Sequence, residues 1–135
     1  MNLSEFQIIG NRLAQQISDS ISQQVIFEPS GKDLIKKQKN ALLGHYHFRV
    51  PKGQNKKVPA WMNLRKTQNR AKLGIRGDLL PQSGLVVAAM QFKPNANYKS
   101  ALDGGIGEWT IAVNSIQDNN YPIALNALIT ACQAC

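Results

Sequence analysis

The spacing of apolar residues changes from helical to alternating in the middle of the chain, and this change constrains the fold most. In HYHFRV, residues 45–50, every second side chain is apolar. The alternation returns in AWMNLRK, residues 60–66, and in AKLGIRG, residues 71–77. Because successive side chains of a β-strand point to opposite faces, the three segments predict neighbouring antiparallel strands with one apolar and one polar face.

Helical spacing dominates the N-terminal part of the chain. Ser4 followed by Gln7 is a capping-box pattern, and apolar residues then recur every three or four positions, which predicts a helix over residues 5–24 with Gly10 as a weak point. The short segment QVIFE could add a strand. A second capping-box spacing begins at residue 30 and predicts a helix over residues 31–43, with Gly44 ending it in the left-handed conformation.

The C-terminal half completes an α+β arrangement. SGLVVAAMQF, residues 83–92, is the most apolar segment and predicts a central strand, while EWTIAVNSI, residues 108–116, predicts the last strand. Pro122 suits a first turn and predicts a helix at about residues 121–133. We therefore expect a single domain spanning residues 1–135, in which an antiparallel sheet of about five strands forms a meander over residues 45–116. The N-terminal and C-terminal helices pack on one face of it.

The positive charge of the chain is concentrated rather than dispersed. Sixteen Lys and Arg against eight Asp and Glu give a net charge of +8. Residues 32–76 contain thirteen of those basic residues and a single acid, Asp33, whereas the rest of the chain is net acidic. Charge kept for solubility has no reason to gather in this way, so the pattern indicates an anionic partner.

The polar face of the predicted sheet combines cations with an aromatic and an amide side chain. Single-stranded nucleic acid is bound by this mixture, since cations follow the phosphates and aromatic rings stack on bases. We predict a nucleic-acid-binding protein without catalysis that prefers single-stranded DNA or RNA. It would use this sheet face and the basic loop PKGQNKKVP. The predicted contact residues are Arg49, Lys52, Lys56, Lys57, Trp61, Asn63, Arg65, Lys66, Arg70, Lys72 and Arg76.

Affinity for such a partner should come mainly from the release of counterions. Five or six cation–phosphate contacts predict a log–log salt slope of about −4 for a single strand. Little in the sequence promises a rigid set of base-reading side chains, so sequence preference should be weak. The sequence contains no helix-turn-helix, zinc-finger or basic-zipper pattern, which makes duplex DNA the less favoured partner.

One catalytic alternative rests on two histidines. His45 and His47 share a strand face with Arg49, and a metal-independent endoribonuclease of the toxin type could use one imidazole as base and the other as acid, with the cation at the phosphorane. Carboxylates that would complete a metal site are absent from this part of the sequence. The sequence predicts neither a metal nor a cofactor.

The sequence also bears on the partner of the protein and on its cellular location. A second alternative is an interaction module that docks its basic face on an acidic protein, and a homodimer is also open. No apolar run approaches the roughly 20 residues of a membrane-spanning helix, and no signal peptide is evident, so we expect a cytoplasmic protein that does not enter a membrane. The CQAC segment, residues 132–135, lacks the further ligands of a zinc site and indicates two incidental cysteines.

Overall fold

In the part of the chain that the structure describes, two α-helices lie against one face of a six-stranded antiparallel sheet. The computed structural model describes residues 1–30, 41–53, 58–80, 90–94 and 107–135. Helix α1 spans Leu3–Ile21 and helix α2 spans Asn120–Gln133. The strands are β1 (Ile26–Pro29), β2 (Leu42–Arg49), β3 (Ala60–Arg65), β4 (Ala71–Arg76), β5 (Gln91–Pro94) and β6 (Gly107–Val113). Their spatial order is β1-β2-β3-β4-β6-β5, and the α+β fold class is confirmed.

Helix α1 begins two residues earlier than the sequence pattern indicates. The side chain of Asn2, rather than Ser4, caps the helix by accepting a hydrogen bond from the backbone N–H of Glu5 at 2.8 Å. The side chain of Gln7 does not complete a capping box but donates to the hydroxyl of Tyr46 at 2.7 Å. The helix ends at Ser22, whose positive φ of 55° turns the chain towards β1. Neither described helix is long and apolar enough to cross a membrane.

The hydrophobic core lies between the helices and one face of the sheet. Helix α1 packs against β1, β2 and β3, while α2 packs against β4 and β6. The sheet side of this core comes from alternate positions of the strands, so the residues between them face away from both helices. We call that second side of the sheet the open face. Side chains with no exposed surface in the core include Phe6, Leu13, Phe48, Met62, Leu64, Leu73 and Ile75.

The predicted helix over residues 31–43 is wrong at its C-terminal end. Leu42 begins β2, and Gly44 lies within that strand instead of ending a helix. Gly44 has no left-handed backbone angle, and its Cα faces the side chains of Leu3 and Phe6. A side chain at position 44 would press against these two apolar side chains, which explains why a glycine occurs here. Residues 31–40 lie outside the described residues.

The predicted strand over residues 83–92 does not lie at the centre of the described sheet. Its last residues belong to β5, which pairs only with β6 at one edge of the described sheet. Strand β6 occupies the place beside β4 instead. Apolar content indicated burial for this segment; of its described residues Met90 is buried, whereas Gln91 and Phe92 are exposed. Residues 81–89 lie outside the described part of the chain.

A tight contact between helix and sheet fixes the position of α1. The ring of Phe27 lies against Gly10, so that a Cβ at that position would come within 2.1 Å of a ring carbon. Phe27 itself packs against Phe6, Tyr46 and Phe48, with ring centroids 4.8 to 5.7 Å apart. Because these three rings surround it, the Phe27 side chain cannot move away from an added methyl group. Gly10, which weakens the helix by its low helix propensity, is therefore required by the packing against Phe27.

We expect Gly10→Ala to destabilise the protein, although alanine is the better helix former by about 1 kcal/mol. Overpacking against a buried ring costs about 1–3 kcal/mol, so the urea midpoint should fall. Asn11→Ala, on the exposed side of α1, is the matched control and should leave the midpoint unchanged or raise it slightly. A higher midpoint for Gly10→Ala than for wild type would contradict the described packing.

Candidate nucleic-acid interface

Strand register gathers the polar side chains of the middle of the chain on the open face. His47 pairs with Trp61, which pairs with Gly74 on β4. In the next row His45 pairs with Asn63, and Asn63 with Lys72. Two cross-strand rows, separated by two residues along each strand, thus bring imidazole, indole, amide and ammonium groups together.

Four cations surround the turn between β3 and β4. Arg65, Lys66 and Arg70 are exposed, and Lys72 is partly buried on the open face. Among the described residues none of the four has an ion pair or a side-chain hydrogen bond. We call Arg65, Lys66, Arg70 and Lys72 the basic cluster. Its charge is not neutralised by any described carboxylate and is therefore available to an external anion.

Two of the predicted contact arginines are instead paired with acids. The guanidinium of Arg49 lies 2.6 Å from the carboxylate of Glu28, with both side chains partly exposed. Arg76 lies 3.0 Å from Asp78, and these side chains are only 9% and 7% exposed. Neither arginine presents an uncompensated charge. Sequence reasoning missed the pairing of Arg49 because Glu28 lies 21 residues away along the chain.

Of the remaining predicted cations, Lys52 does not extend the basic cluster. Lys52 is exposed in the turn after β2, where Gly53 approaches the backbone of Cys135. This turn lies at the opposite end of β3 from the basic cluster, about 20 Å away for a six-residue strand. Lys56 and Lys57 lie outside the described residues.

Trp61 lies flat against the sheet and is half-buried. A Cβ at Gly74 would come within 2.3 Å of the indole nitrogen, so the ring occupies the space above the glycine of its cross-strand partner. The neighbouring Asn63 is also half-buried, and its Oδ1 atom has no hydrogen-bond partner among the described residues. The stacking role of Trp61 stays a prediction, with the ring held by the sheet.

A pocket of about 360 Å³ opens beside the basic cluster. Lys72 and Thr110 lie on alternate positions of β4 and β6 that face away from the core, and the small residue Ala112 is the cross-strand partner of Lys72. The lining contains two cations and no carboxylate, which favours an anionic ligand. Residues of the pocket that carry polar side chains are Gln68, Arg70, Lys72, Gln91, Thr110 and Asn120.

Four of those pocket residues were not anticipated from the sequence. Gln68, Gln91, Thr110 and Asn120 belong to a turn, two strands and the start of a helix, and none stands in a recognisable motif. The strand order brings Gln91, Thr110 and Asn120 to Arg70 and Lys72, whereas Gln68 lies in the same β3–β4 turn as Arg70. The two cations were predicted from the charge pattern alone.

The two histidines form a contacting pair with low proton affinity. Their ring centroids are 5.5 Å apart in an edge-to-face arrangement. Burial, together with the nearby His47, lowers the pKa of His45 to about 4. Burial also lowers the pKa of His47, although Glu28 acts in the opposite direction. Both imidazoles are therefore mainly neutral at pH 7, which disfavours either of them as the protonated general acid of RNA cleavage.

Metal and thiol chemistry find no support in the described residues. These residues contain no cluster of three or more His, Cys, Asp or Glu side chains that could hold a metal ion. Cys132 and Cys135 are buried and form no disulfide, and burial, together with the nearby Cys135, raises the pKa of Cys132 to about 12. The reactive thiolate form of Cys132 is therefore scarce at neutral pH.

Comparison with known proteins adds no assignment. No family model, curated protein or solved structure matches the chain.

Stability should depend on pH through His45. Because its pKa is about 4 in the folded protein and about 6.5 in an unfolded chain, the unfolded state takes up the proton first as the pH falls below 6.5. Stability present above pH 6.5 is lost progressively towards pH 4. For this half-buried group we expect a loss of about 1 kcal/mol.

Urea unfolding of wild type and His45→Gln between pH 7 and pH 4.5 measures this effect. The difference in unfolding free energy between the two proteins should shift in favour of His45→Gln as the pH falls. The same difference for His47→Gln should shift less, because Glu28 opposes the desolvation there. Parallel curves for wild type and His45→Gln would contradict the assignment.

Proposed function

We propose that the protein binds single-stranded nucleic acid, without cleaving it, through the basic cluster and the adjoining open face. The observation that carries this proposal is the basic cluster itself: four cations at one end of the sheet, with no ion pair among the described residues. Uncompensated cations gathered on one surface attract polyanions and release their counterions on binding.

The surroundings of the basic cluster favour a strand with accessible bases. Along β3, Asn63 lies two residues before Arg65 on the open face, and Trp61 lies two residues before Asn63. His45 Nδ1 and Asn63 Oδ1 are buried polar atoms without partners among the described residues, and both lie in the row of Lys72. Both atoms are enclosed by the protein, and the open face offers unpaired bases the partly exposed side chains of Trp61 and Asn63.

Duplex DNA fits the described helices less well. A helix that reads the major groove carries basic residues towards the phosphates. Helix α2 contains no Lys or Arg, and α1 contains only Arg12. The positive charge of the described chain lies at a turn and on strands instead, which is the arrangement used by sheet surfaces that bind single strands.

An acidic protein partner is the competing interpretation of the same charge. Both partners would bind more weakly in high salt, so salt dependence alone does not separate them. Poly-glutamate offers the charge without the bases and serves as the comparison ligand. Binding of poly-glutamate as tight as that of an oligonucleotide of equal charge would favour the acidic protein.

Binding of a fluorescent oligo-dT over a salt series, in EDTA, tests the proposal. With four phosphate contacts the log–log slope should be about −3, shallower than the slope of about −4 expected for five or six contacts. Removing two cations in Arg70→Ala/Lys72→Ala should reduce the slope to about −1.4. An RNA of the same length should be retarded and remain intact.

Lys52→Ala is the matched control, since it removes one exposed positive charge at the far end of β3. Its slope should equal that of wild type, whereas Lys72→Ala alone should lower the slope by about 0.7. Equal effects of Lys52→Ala and Lys72→Ala would contradict a localised site. Absence of binding to oligo-dT and to RNA at low salt would overturn the proposed function.

A further inference from the structure

The pocket beside the basic cluster offers two kinds of side chain to a ligand. Arg70 and Lys72 are cations without an ion pair among the described residues. Gln68 and Gln91 carry carboxamides that make no side-chain hydrogen bond to any described residue. A site for a bare phosphate needs only the cations. The additional carboxamides therefore indicate a larger ligand.

We propose that the pocket holds one nucleotide of the bound strand and selects adenine, with Arg70 and Lys72 on its phosphate and Gln68 and Gln91 on its base. This inference rests on the proposed function and adds base selectivity to it. A carboxamide presents one donor side and one acceptor side. Adenine presents a donor and an acceptor side by side, which is why glutamine pairs with it in a bidentate way.

The size of the pocket agrees with a nucleotide. A volume of about 360 Å³ equals the share of about a dozen liquid waters, which is far more than a phosphate group requires. It also falls within the range of small-molecule sites. Ala112, the cross-strand partner of Lys72, keeps this part of the open face low because its side chain is a single methyl group.

The other polar groups of the pocket are largely committed to the protein. The hydroxyl of Thr110 donates to the backbone carbonyl of Gln91 at 3.4 Å. The side-chain amide of Asn120 donates to the carbonyl of Ala112 at 2.8 Å. These bonds hold the start of α2 and the β5–β6 pair around the pocket. The groups without such bonds are the two cations, which would contact the phosphate, and the two glutamines, which would contact the base.

Base selectivity is measured with short oligonucleotides at one salt concentration. Oligo-dT of eight residues is compared with the same strand carrying a single central adenine, guanine or cytosine. Wild type should bind the adenine-containing strand about tenfold more tightly than oligo-dT, in keeping with one good bidentate contact. Gln68→Ala and Gln91→Ala should reduce that preference to less than twofold, while the salt slope, which depends on the cations, stays at the wild-type value.

Gln133→Ala is the matched control, because it makes the same change at an exposed position at the far end of α2 and should keep the preference. Oligonucleotide binding with no preference for adenine would overturn this inference and leave the proposed function standing. A preference that survives in both glutamine variants, or a guanine preference lost in Arg70→Ala, would overturn it as well. Failure to bind any strand would overturn both proposals.

Discussion

Burial of every second side chain of β3 and β4 under the two helices is the constraint on which the other features depend. Met62, Leu64, Leu73 and Ile75 have no exposed surface, and a shift of one residue in either strand would move them to the open face. The same alternation sets Asn63 beside Lys72. The positions of the basic cluster and the pocket therefore follow from the packing of the core.

Folding separates two groups of cations among the described residues. Glu28 and Asp78 neutralise Arg49 and Arg76, while the residues around the β3–β4 turn keep their charge. Breaking a buried pair such as Arg76 with Asp78 leaves an uncompensated charge and is strongly destabilising. Loss of binding in an Arg76 variant would therefore reflect loss of folding rather than loss of a phosphate contact.

Local sequence patterns predicted the elements with periodic apolar residues. They failed where pairing partners distant in sequence determine the start or the position of a strand. The stripe of α1 and the alternation of β3 and β4 are properties of consecutive residues, and the structure reproduces them. The start of β2 at Leu42 and the edge position of β5 depend on pairing partners that no local pattern specifies. The pocket was missed for the same reason, since Gln68, Gln91 and Asn120 meet only through the strand order.

The contact between Trp61 and Gly74 has a consequence for how this sequence can vary. While the indole covers the glycine, even a methyl group at Gly74 would collide with it. A larger residue on β4 becomes acceptable only if the aromatic ring on β3 is lost or displaced in the same lineage. Among descendants of this chain, the two positions should change together rather than one at a time.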